Sequence, residues 1–172
     1  TWSLSVTALS SRLRRQGRVV GMHFFNPAPL MPLVEVISGR LTEAAVAQAV
    51  FATAQAWGKT PVHCISSPGF IVNRLARPFY GEALRLLSER AASPETLDAI
   101  MRETGGFRMG PFAVMDLIGH HVNFAVTRSV YDAMSQDARY KASLVQEELV
   151  NAGLLGRKTG RGFYDYGTRR LL

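Results

Sequence analysis

The sequence predicts a mainly helical protein in two parts. Residues 1–66 read as the end of an α/β unit, and residues 67–172 as an all-helical domain. Short apolar runs broken by proline and glycine crowd the first third, as strands would. From Phe70 onward apolar residues recur at helical spacing. The 172 residues, 47% hydrophobic and 19% charged, suffice for a sizeable core and exclude a disordered chain.

The elements follow in order. Residues 4–15 read as a short helix with basic residues at its end, where the helix dipole favours them. Residues 18–25 read as a strand, broken by Asn26-Pro27-Ala28-Pro29. Residues 33–37 form a second strand, ended by Ser38-Gly39. Thr42 suits the N-cap of a helix through Val46, Val50, Ala54 and Trp57, stopped by Gly58. Residues 61–65 form a third strand, and residues 66–69 a turn.

Residues 70–90 then carry Ile71, Val72, Leu75, Phe79, Ala83, Leu86 and Leu87, a helix apolar over much of its girth. Such a helix is expected to be buried, part of it against a second subunit. Pro78 is expected to kink or interrupt it. Ser93-Pro94 starts the next helix, with serine as cap and proline in the first turn. Further helices are expected after Gly110-Pro111, over 119–134 and over 143–151. The stretch 153–162 is a glycine-rich basic loop ahead of Phe163-Tyr164-Asp165-Tyr166. It follows a helix and opens none, so it is not a phosphate loop.

The net charge is +7, but the basic residues are scattered in small clusters and no nucleic-acid-reading motif accompanies them. No nucleic acid partner is expected. No apolar run reaches the roughly 18 residues of a membrane span, so no membrane partner is expected either. Cys64 stands alone, which excludes an intramolecular disulfide and a cysteine-based metal site and fits a reducing cytoplasm. His63, His120 and His121 have no partners at ligand spacing and read as structural or surface residues. A chain that opens Thr-Trp-Ser, without methionine, reads as cut from something longer.

The chemistry concentrates in two apolar strands, each interrupted by one polar group. His23 lies in Gly21-Met22-His23-Phe24-Phe25-Asn26-Pro27, and Glu35 in Leu33-Val34-Glu35-Val36-Ile37. Histidine titrates near neutral pH and can take or give a proton there. A carboxylate on a neighbouring strand fixes its tautomer and stabilises the imidazolium. Taken from the residues alone, His23 also fits a hydrogen-bonded core histidine, and Glu35 an exposed strand charge.

These segments resemble the 3-hydroxyacyl-CoA dehydrogenase family. The likeness runs through His23-Phe24-Phe25-Asn26-Pro27, Leu33-Val34-Glu35-Val36, Pro68-Gly69-Phe70-Ile71-Val72-Asn73-Arg74, Met109-Gly110-Pro111-Phe112 and Gly156-Arg157-Lys158-Thr159-Gly160. The flavour is bacterial, of the 3-hydroxybutyryl-CoA or phenylacetate-catabolic type. The resemblance implies the last strands of a Rossmann domain followed by a helical dimerisation domain like that at the C-terminus of 6-phosphogluconate dehydrogenase. It implies NAD as cofactor, an acyl-CoA substrate, a homodimer and oxidation of an L-3-hydroxyacyl-CoA to the 3-ketoacyl-CoA. His23 becomes the general base and Glu35 the residue that orients it. Asn73 is implied at the substrate oxygen, and Asn26 and Lys158 at the cofactor. Their plainer roles are a helix start, a turn before proline and a solvated loop lysine. Trp2 stands where the family pattern has a serine, so that role is not carried over.

With no G-x-G-x-x-G present, the NAD site is expected to be largely missing and the chain alone inactive. The competing expectations are a non-catalytic dimerisation or acyl-binding module, and a dehydrogenase of a non-CoA hydroxy acid.

Overall fold

The structure is a computed structural model that describes residues 4–167. Trp2 lies outside the described residues. The chain divides into two compact units, residues 1–74 and 75–172.

The first unit is built around a three-stranded sheet in the order β1 (Val20–Phe24), β2 (Leu33–Ser38), β3 (Thr60–Ile65). β1 and β2 pair antiparallel, with His23 opposite Glu35, and β2 and β3 pair parallel. The parallel pair is joined by helix α2 (Ala44–Ala56), the crossover such a pair requires. Val34, Glu35, Val36 and Ile37 are consecutive and all buried, so β2 is covered on both faces. Val6 of α1 (Val6–Ser10) and Phe70 pack with Ile37 to form a small core of their own.

This corrects the expectation of a mainly helical chain holding only the last strands of an α/β domain. A central strand buried on both faces, with its crossover helix and its own core, makes residues 1–74 a compact α/β portion. Two local readings change as well. α1 stops at Ser10, and a 3-10 turn over Gln16–Arg18 leads into β1. Thr42 does not cap α2, whose cap is Glu43; its hydroxyl accepts from Gly39 N and donates to Val19 O, closing the turn after β2.

Helix α3 (Val72–Ser88) starts in the first unit and runs on past Pro78 without interruption. The second unit continues with α4 (Pro94–Glu103), α5 (Pro111–Ile118), α6 (His120–Ala133) and α7 (Leu144–Asn151). Ser93 caps α4 through its side chain and Pro94 opens the helix, as the sequence predicts. The core of this unit gathers Tyr80, Ala83, Leu84, Phe112 and Met115, with Phe163 and Tyr164 folded back onto it. Among the described residues no helix is long and apolar enough to cross a membrane.

Candidate active site

The antiparallel register sets His23 and Glu35 side by side, and their side chains meet: Nδ1 lies 2.6 Å from Oε2. The other carboxylate oxygen accepts hydrogen bonds of 2.9 Å from Ile71 N and Val72 N. These are backbone donors at the start of α3, where N–H groups have no partner within the helix and the dipole favours negative charge. The turn that aims them passes through Gly69 at φ +73° and Phe70 at φ +49°. Glycine takes this left-handed conformation without steric cost, which suits Gly69 to the bend before α3.

Glu35 is 0% exposed. Burial pushes its carboxyl up, but the His23 hydrogen bond and the two amides outweigh this and leave it below its ordinary value. The carboxylate is therefore ionised at neutral pH and can only accept. Facing a carboxylate that can only accept, His23 Nδ1 is the donor in this contact, and in the neutral imidazole Nε2 then carries the lone pair. The Phe25 and Phe70 rings flank the imidazole at 4.9 and 5.7 Å between centroids, and the side chain keeps 12% exposure. A base held in one tautomer, walled by aromatics and still reachable, can accept a proton from a bound hydroxyl.

Asn73 follows Val72 in the first turn of α3, partly buried, on the same helix start that holds Glu35. Asn26 is exposed on the connector between β1 and β2, three residues after His23. Lys158 belongs to the second unit and stands exposed on a 3-10 turn, Arg157–Thr159. Among the described residues no cluster of histidine, cysteine and carboxylates could hold a metal.

The other two motifs have work of a different kind, which the sequence reading missed. The buried Asp98 carboxylate accepts from Phe112 N and Ala113 N at 2.9 Å each, capping α5, and from the Tyr164 hydroxyl. A Cβ at Gly110 would lie 2.3 Å from Asp98, so Met109-Gly110-Pro111-Phe112 needs glycine for this approach. The buried Asp116 carboxylate accepts from His120 Nε2, Phe163 N, Tyr164 N and the Tyr166 hydroxyl, at 2.7 to 3.0 Å. Burial raises its pKa, and these donors outweigh burial and lower it. The loop after Gly156 is thus a clasp around a buried carboxylate.

Comparison with known proteins gives the same frame an identity. Residues 1–67 match the 3-hydroxyacyl-CoA dehydrogenase NAD-binding domain, and residues 69–166 the C-terminal domain of the same family. The first match also overturns the reading of residues 1–66 as leftover strands. The 3-hydroxyadipyl-CoA dehydrogenase of Escherichia coli is 53% identical over 99% of this chain. The 3-hydroxybutyryl-CoA dehydrogenase of Clostridioides difficile is 43% identical over 96%. A crystal structure of 3-hydroxybutyryl-CoA dehydrogenase from Escherichia coli superimposes with a TM-score of 0.94 at 52% identity, covering the whole chain. The chain spans 36% and 59% of the lengths of the two relatives and 37% of that crystallised chain. With both parts matched in order, the chain belongs to the 3-hydroxyacyl-CoA dehydrogenase family.

Proposed function

We propose that the protein oxidises an L-3-hydroxyacyl-CoA to the 3-ketoacyl-CoA with NAD, and that His23 is the general base. The observation that carries this reading is the doubly anchored dyad: Oε2 of Glu35 on His23 Nδ1, Oε1 on two helix-start amides. His23 Nε2 takes the proton from the substrate's 3-hydroxyl. Glu35 keeps the ring in its working tautomer and stabilises the imidazolium that forms, while its own proton affinity stays low. Asn73 donates from its side-chain amide to the substrate oxygen, which gathers negative charge as the proton leaves. NAD supplies the hydride acceptor.

Asn26 offers an exposed amide three residues past the base, which suits the nicotinamide end of that cofactor. No G-x-G-x-x-G occurs in the sequence, so no residue here is assigned to the pyrophosphate. The relatives named for 3-hydroxyadipyl-CoA and 3-hydroxybutyryl-CoA support a short acyl chain. A homodimer through the second unit is the assembly that the same reading implies.

Acetoacetyl-CoA-dependent oxidation of NADH by the protein carrying this chain tests the reading. Wild type should turn over, and His23→Asn should lose about 10²–10⁴-fold in kcat. Absence of turnover at saturating substrates, or a fully active His23→Asn, overturns it.

A further inference from the structure

We infer that Lys59 is a positioning residue: its ammonium holds the β1–β2 connector and, through it, the His23–Glu35 pair. The consequence for turnover rests on the dehydrogenase reading; the hold itself does not.

The connector is short of donors. Pro27, Pro29 and Pro32 have no N–H, and the amides of Leu30 and Met31 both turn back onto Pro27 O. Among the described residues no backbone donor reaches the carbonyls of Ala28, Pro29 or Met31. All three converge on one atom, Lys59 Nζ, at 2.6, 3.1 and 3.0 Å. An ammonium has three protons, so three carbonyls saturate it. Lys59 is itself well fixed. Its backbone N–H caps the end of α2 on Ala54 O, and the next amide, Thr60 N, bonds Pro32 O at the connector's far end.

The place of this cage gives it a role. Phe24–Val34 is the last rung before the connector and His23–Glu35 the rung next to it. Fraying of the connector therefore reaches the dyad after a single pair, and it moves Asn26 directly. A surface lysine that only solubilises the fold has no such geometry.

Lys59→Met and Lys59→Arg in the full chain test this by amide exchange. With methionine, Leu30 and Met31 should exchange at least about tenfold faster, because three charge-assisted bonds are lost. The His23 Nδ1 proton should quicken with them, while Val36 in the middle of β2 stays unchanged. Arginine keeps the charge but its planar fork cannot fan onto three carbonyls, so it should fall between. In turnover, methionine should lower kcat by about tenfold or more, and arginine should recover part of it. Unchanged connector exchange overturns the inference. So does equal quickening of Leu30, Met31, His23 and Val36, which makes Lys59 a general stabiliser of the unit. A wild-type protein without turnover removes the dehydrogenase reading instead, and the exchange rates still decide Lys59.

Discussion

Glu35→Gln is nearly isosteric yet should disable the site. The native carboxylate faces three donors, His23 Nδ1–H and the amides of Ile71 and Val72, with no solvent contact. Glutamine has one oxygen. If that oxygen serves the two amides, the NH₂ faces His23 and forces the proton from Nδ1 to Nε2, removing the base. If it serves His23, the NH₂ points at two N–H groups and both lose their acceptor. Two orphaned buried donors cost about 2–6 kcal/mol, so the first arrangement prevails, and in it three charge-assisted bonds become neutral at about 1 kcal/mol each. The expected loss is therefore about 2–4 kcal/mol at neutral pH, together with a fall in kcat of about 10³–10⁴ from the wrong tautomer. Equilibrium urea unfolding measures the first quantity. The pH dependence follows from the lowered pKa of Glu35. A carboxyl whose folded pKa lies below its unfolded value contributes in full above the unfolded value, and that contribution is lost as pH falls through the folded one. The gap between wild type and Glu35→Gln should thus be widest near pH 7 and close in acid. A gap that is absent at pH 7, or that stays constant into acid, refutes the reasoning.

Asp116→Asn should destabilise the second unit by on the order of 3 kcal/mol, because one buried carboxylate satisfies four donors there; limited proteolysis should then cut first within residues 156–166. Gly162→Ala should cost roughly 1–3 kcal/mol by thermal unfolding, since its Cβ would lie 2.2 Å from Asp116 Oδ1.

The dyad was legible because each member is the one titratable residue in an otherwise largely apolar strand, and because the short Pro-rich connector makes the two strands neighbours. The alternation that usually marks a half-exposed strand is missing from Leu33–Ser38, and that absence was the sign of a strand covered on both faces. The mainly helical expectation came instead from the helical spacing after Phe70 and from a resemblance that implied only the last strands of a Rossmann domain. Asp98, Asp116 and Lys59 escaped for a common reason. Their partners are backbone groups distant in sequence, such as Phe112 N for Asp98, Phe163 N for Asp116 and Ala28 O for Lys59. Side-chain patterns do not display where free amides and carbonyls come to lie. Thr42 misled similarly: a hydroxyl before a helix suits a cap, but Gly39 N and Val19 O compete for it and hold it.

The ¹⁵N signals of the His23 ring at neutral pH test the proposed chemistry most directly. A carboxylate that can only accept should keep the proton on Nδ1, with Nε2 unprotonated and free to act as base. The Glu35→Gln variant should show the reverse. A wild-type ring protonated at Nε2 with a bare Nδ1 contradicts the assignment, because the 2.6 Å contact with Glu35 would then join two acceptors and no base would face the substrate.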